Sequence, residues 1–148
     1  MTWPSGTVPP AVTAMRDMLS ASATFIAAGG SQSTVHYPEV TLAVGVTLPA
    51  CLIIQDEETR TVYASGSGAL PTGRIRIEYY QNALAAVVEA AAFGIAQDIA
   101  ASTTGLLIRS ATAGLASDPS AGESASLADG DTFQFRVCTL TVDYGPQI

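Results

Sequence analysis

The segment SGSGALPTGRIRIEYYQN, residues 65–82, decides how this chain is built. Its first half is dense in Gly, Ser and Pro, the residues that punctuate turns and loops. In its second half Arg74, Arg76 and Glu78 alternate with Ile75, Ile77 and Tyr79, the period-two pattern of a strand with one buried face. Residues 66–73 therefore read as a loop and residues 74–80 as an antiparallel strand that exposes Arg74, Arg76, Glu78 and Tyr80. Asn82 reads as the N-cap of the Ala-rich helix that follows. The stripe of that helix, Leu84, Val88, Ala91, Ile95 and Ile99, carries it to near Ser102.

Upstream, PACLIIQDEETRTVYASGSG reads as a β-hairpin: an apolar strand over residues 51–54, a charged turn at Asp56, Glu57 and Glu58, and a return strand over 60–65. Before it, Pro9 and Pro10 suit a first helical turn, and Val12, Met15, Leu19 and Ile26 continue a helix over residues 9–28 until Gly29 and Gly30 stop it. Residues 31–49 mix β-branched side chains with Pro38, Gly45 and Pro49, which predicts an extended loop with a short strand at 39–46. Downstream, residues 106–108 suggest a short strand, and residues 110–130, rich in Ala, Ser, Gly and Asp, a long loop.

The last strand, TFQFRVCTLTVDYG, changes parity. Phe133, Phe135 and Val137 occupy odd positions, whereas Cys138, Leu140, Val142 and Tyr144 occupy even ones. A one-residue slip turns every side chain to the other face, so the pattern predicts a β-bulge near residues 137–139 or a strand that changes what it packs against. The whole reads as one α+β domain over residues 1–148, an antiparallel sheet of about four strands packed against two helices.

Composition narrows the function. The 148 residues carry a net charge of −7 with six Arg and no Lys, a balance that argues against phosphate or anionic-membrane surfaces, which need clustered cations. Cys51 and Cys138 each lie in an apolar run and read as buried free thiols. The start, MTWPSGTVPP, lacks a basic then apolar leader, so a cytosolic setting is the default. Glu89, Gln97 and Asp98 interrupt the apolar segment 83–101, so a membrane span is not expected.

Catalytic machinery is not visible. His36 is the single histidine; with only Glu39 nearby it reads as a loop histidine rather than a base or metal ligand. There is no G-x-S-x-G elbow, and SGSGALPTG leads into a strand instead of the helix a phosphate cradle requires. The carboxylates Asp56–Glu58 and Asp129 with Asp131 lack the order of a calcium loop and read as solvated turns. No enzyme, metal or cofactor is expected. What the chain offers is surface for association: Arg74, Arg76, Glu78 and Tyr80 with the charged group Asp56, Glu57, Glu58 and Arg60, and two long loops at 31–47 and 110–130 able to order on binding.

The element order and three phrases, VHYPEVTLAVGVTLPACLII, GSGALPTGRIRIEYY leading into an Ala-rich helix, and RVCTLTVDYG, resemble tail-completion or tail-terminator proteins of long-tailed bacteriophages. The resemblance spans residues 10–145. It implies a non-enzymatic virion subunit, usually one of six in a ring that caps the tail tube and joins it to the head connector. Its implied partners are further copies of itself, a tail tube protein and a head-side neck protein, with assembly in the host cytoplasm. DNA would pass without specific binding, and Asp118, Glu123, Asp129 and Asp131 are candidates for an acidic channel lining that does not trap it. A head-completion or stopper ring, and a small-ligand or peptide-binding α+β module with residues 110–130 as lid, are the alternatives.

Overall fold

Pro10 at the first position of α1 (Pro10–Ala21) gives up an N–H that no helix would use there. The helix then lays Ala11, Val12, Met15, Met18 and Leu19 into the core. A computed structural model describes residues 8–37, 47–62, 69–103, 105–117 and 136–145, together with the backbone but not the side chains of 60–62 and 69–71. The helix expected over residues 9–28 breaks at Ser22, which is extended (ψ 119°), and resumes as α2 (Ala23–Ala27). Ser22 Oγ donates to Asp98 Oδ2 at 2.6 Å and accepts from the Phe25 N–H at 3.3 Å, while the Thr24 N–H reaches the same carboxylate oxygen at 3.1 Å. A long-range partner thus holds the break and the first turn of α2, which is why local pattern alone did not show it. Gly29 (φ +106°) ends α2, as expected of a glycine in the left-handed region.

Strand β1 (Val35–His36) follows, so His36 is buried in a strand rather than in a loop. The remaining elements are β2 (Ala50–Val62), β3 (Ala69–Gln81), α3 (Ala85–Ala100), β4 (Ile108–Ala113) and β5 (Arg136–Tyr144). Among the described residues they form an α+β fold whose sheet has five strands in the order β1-β2-β3-β5-β4, one more than expected, with β1 parallel to β2 and every other pair antiparallel.

The hairpin read into residues 51–65 is not there. Strand β2 runs straight through the acidic group, and Asp56 is the extra residue of a bulge between Gln55 and Glu57. The partner of β2 is β3, which begins at Ala69, so residues 69–73 are strand rather than loop; residues 63–68 lie outside the described residues. Likewise β4 takes residues 110–113 out of the expected long loop, and the rest of that loop from 118 onward is not described. The strand expected at 39–46 also falls outside the described residues.

One face of the sheet carries Cys51, Ile53, Ile75, Ile77, Tyr79, Cys138, Leu140, Val142 and Tyr144 against the three helices. Helix α3 adds Val88, Ala92, Ile95, Ala96 and Ile99. Phe25 meets Tyr79 edge-to-face with centroids 6.2 Å apart. Helix α3 is capped by Leu84 without a side-chain bond, not by Asn82, and Leu84 itself is exposed. Both cysteines are buried free thiols; burial raises Cys51 above the ordinary thiol range and Cys138 to about 11, leaving both inert.

Phe133 and Phe135 lie outside the described residues; over residues 136–144 there is no bulge in β5, whose register with β3 is unbroken from Gly73↔Tyr144 to Gln81↔Arg136. Val137 instead joins Leu52 and Tyr80 in a small apolar cluster on the face away from the main core. Tyr80, expected to be exposed, is fully buried there.

Asp98 supports a direct test. Its bond from Ser22 holds the carboxyl below the ordinary aspartate value, so its contribution is full above about pH 4 and is lost as pH falls through the folded value. Asp98→Ala is expected to cost about 1 kcal/mol in urea unfolding at pH 7 with unchanged m. The gap between variant and parent should narrow below about pH 4.

Candidate functional site

The bulge at Asp56 determines what β2 shows to solvent. Before it, Leu52 and Ile54 share the outer face with Asp56; after it, parity inverts and Glu57 and Thr59 take that face, while Gln55 and Glu58 turn toward Tyr144. The Tyr144 hydroxyl donates to Glu58 Oε1 at 2.7 Å and lies 3.2 Å from Gln55 Nε2. Gly73 makes room for this junction: a Cβ on it would sit 2.4 Å from the Glu57 carbonyl oxygen and 2.5 Å from the Tyr144 hydroxyl. Beyond Gly73, strand β5 has ended, and β2 and β3 continue as a two-stranded ribbon from Glu58↔Gly73 to Val62↔Ala69 among the described residues.

The outer face grades from charged to apolar. At the ribbon end, Glu57 on β2, Arg74 on β3, Asp143 on β5 and Ser110 on β4 occupy one row. Arg74 Nε lies 2.8 Å from Asp143 Oδ1, and Ser110 Oγ donates to Asp143 Oδ2 at 3.2 Å. Arg109, the extra residue of a second bulge in β4, adds its charge beside Asp143. Arg74 holds the Asp143 carboxyl below its ordinary range, and Asp143 in turn raises the guanidinium. These side chains line an open depression of about 620 Å³. The next row places Ile54, Arg76, Thr141 and Thr112 together, with Arg76 Nε 3.5 Å from Asp56 Oδ1. Glu78 follows and accepts from the Tyr80 hydroxyl, ahead of the buried Leu52, Tyr80 and Val137.

The structure therefore brings Arg74, Arg76, Glu78, Asp56 and Glu57 onto one face; strand alternation suggested this for the first three, whereas Asp56 and Glu57 were expected in a turn. Glu58 lies on the opposite side with Tyr144, and Tyr80 is buried. The Arg60 side chain and Asp118, Glu123, Asp129 and Asp131 lie outside the described residues. Sequence reasoning missed Asp143, Ser110 and Arg109, which the sheet order juxtaposes from two later strands. It also missed the outer side of α3. The two carboxylates of that helix are engaged internally, Glu89 accepting from the Ala116 N–H at 2.9 Å and Asp98 at the α1–α2 break. Val87 and Phe93 remain 48% and 52% exposed, with Ala86, Ala90 and Ala100 exposed on the same helix.

Burial lowers the His36 pKa, which favours the neutral imidazole. Glu39 lies outside the described residues. Among the described residues no three His, Cys, Asp or Glu side chains converge as a metal group would, and no helix is long and apolar enough to cross a membrane.

No protein-family model and no curated protein matches the chain. Among solved structures, the chain is similar to one in a virion of a native gene transfer agent particle, at 15% identity and a TM-score of 0.48, covering 94% of this chain and 98% of that one.

The Gly73–Tyr144 junction can be checked by a double-mutant cycle. Gly73→Ala is expected to cost about 1–3 kcal/mol through overpacking, and Tyr144→Phe about 1 kcal/mol through the lost hydroxyl bonds. Because removing the hydroxyl also removes one of the atoms that the new methyl meets, the double variant should lose less than the sum of the two in urea unfolding.

Proposed function

We propose that this protein is a structural virion subunit, a tail-terminator or tail-completion protein. In this reading, copies close into a ring that caps a phage-type tail tube and joins it to a head-side connector. The observation that carries the reading is helix α3. Helix α3 leaves Val87 and Phe93 half exposed among exposed Ala86, Ala90, Gln97 and Ala100, a side without charge, while both its carboxylates are engaged in internal contacts. A surface of this kind is fitted to be covered by another protein.

A closed ring requires two different patches on each subunit, because every contact joins unlike surfaces. The fold is asymmetric in this sense: the apolar α3 side and the charged outer face of the sheet lie on opposite sides of one layer, and the strands at the two margins of the sheet differ. The sequence phrases that resemble tail terminators support the same reading, as does the net charge of −7, which suits a channel that lets DNA pass without holding it. The ring would be homohexameric, located at the tail and neck of the virion after assembly in the host cytoplasm, with no catalytic role and no membrane contact.

Light scattering across a range of concentrations, alone and with purified tail tubes, tests this reading. A discrete species near six times 15.1 kDa, or capping of tubes, is the expected result. A monomer that neither self-associates nor binds tubes would overturn it, and binding to connectors alone would move the protein to a neighbouring neck ring. Phe93→Ser with Val87→Ser should lower ring formation at least tenfold; because about half of each side chain is buried in the subunit, the pair should also cost the monomer roughly 2–3 kcal/mol, and urea unfolding checks that it still folds.

A further inference from the structure

The charged row on the outer face has opposite signs at its two ends. Across the sheet it runs Glu57, Arg74, Asp143, Arg109: acid on β2, base on β3, acid on β5, base on β4. The inner pair is closed at 2.8 Å between Arg74 and Asp143. The outer two, Glu57 and Arg109, are exposed. Strand β4 is an edge strand of the sheet, and β2 beyond Leu52 pairs with β3 alone among the described residues. Strand β1 covers β2 only at Cys51 and Leu52, and β4 pairs with β5 on one side alone.

We infer that the β4 edge of one copy lies against the β2 edge of a second copy, antiparallel, with Arg109 of the first facing Glu57 of the second. The inference rests on the ring reading and names the contact that closes the ring. Three features support it. Within one subunit β4 runs antiparallel to β2, because β2 and β5 both oppose β3 and β4 opposes β5; a side-by-side copy therefore meets β2 with an antiparallel neighbour. The alternation of charge continues across the junction without placing like charges opposite each other, which would be destabilising. The bulges, which ordinarily discourage edge pairing, fall on the same row: Glu57 pairs with Arg74, Arg74 with Asp143 and Asp143 with Ser110. The two kinked edges therefore bend at one level. The contact joins unlike edges, so it propagates around a ring rather than stopping at a dimer.

Cysteine cross-linking tests the geometry, since Cys51 and Cys138 are buried and stay out of the reaction. Glu57→Cys and Arg109→Cys, each exposed, are made singly and together and treated with a short bis-maleimide, alone and on tail tubes. The expected result is no cross-link in either single variant, dimers only when the two single variants are mixed, and a ladder up to the closed ring in the double variant. Charge reversal gives a second readout: Glu57→Arg or Arg109→Glu should shift the mass to monomer, and the two together should restore at least half of the assembled fraction. Rings or tube caps that form without 57–109 cross-links would overturn this contact and leave the ring reading standing. Cross-linking in a single variant would overturn the unlike-edge geometry. A chain that stays monomeric and uncross-linked in both settings would overturn both readings together.

Discussion

A strand with one buried face cannot carry three consecutive acids in strict alternation without pushing one of them into the core. The bulge at Asp56 moves that inward place from Glu57 to Glu58, which lies opposite Gly73 and meets the Tyr144 hydroxyl, and much of the molecule depends on it. With one residue left over, Asp56 and Glu57 both reach the outer face, and Glu58 turns inward only far enough to meet the Tyr144 hydroxyl. Because the strand survives its acidic segment, β2 reaches Val62 and pairs with β3 along its whole length. The ribbon beyond β5, the charged row and the position of Glu57 all follow from that single insertion. Gly73 is its complement on β3, the position where a side chain would strike both the bulged backbone and the Tyr144 ring.

The same bulge marks where the sequence stops being legible. Asp56, Glu57 and Glu58 read as a turn because charge clusters usually sit at turns, and nothing local distinguishes a turn from a bulge on a strand edge. The strand Ile75-Ile77-Tyr79 and the core stripe of α3 were legible because their periodicities record direct contact with one buried face. The break at Ser22 was not, since the carboxylate that closes it comes from Asp98 on another helix. Tyr80 shows a third kind of miss. Alternation places it on the outer face correctly, but burial depends on Leu52 and Val137, which arrive from other strands. The same cluster accounts for the odd position of Val137 in β5: of the two expected routes, a bulge or a change in what the strand packs against, it follows the second. Of the surface, Arg74 and Arg76 were visible in one strand; their row with Asp143 and Arg109 required the sheet order.

The fold separates two kinds of surface by the thickness of one sheet. On one side, small residues let α3 pack close: a Cβ at Gly94 would stand 2.8 Å from Thr24 of α2, so a larger residue would push the helices apart. The composition that permits this close packing also leaves the outer side of α3 without charge. The acidity of the chain therefore concentrates elsewhere, and among the described residues Asp56, Glu57, Glu78 and Asp143 bring it to the outer sheet face, where each but Glu57 has a close partner.

In the ring we propose, these surfaces have different energetic roles. Exposed ion pairs contribute about 0–1 kcal/mol each and are screened beyond about 8 Å at physiological salt, so an alternating row across a subunit junction has little affinity to offer. It can favour one register, because a slip along the strands takes Arg109 away from Glu57 and loses the pairing of opposite charges. Apolar burial has the reverse character. Covering the exposed halves of Val87 and Phe93 is worth roughly 1–1.5 kcal/mol apiece but is indifferent to register. A subunit carrying both can associate through the helix side and be aligned through the sheet edges, and opposite signs at the two ends of the charged row are what make that alignment repeat from copy to copy.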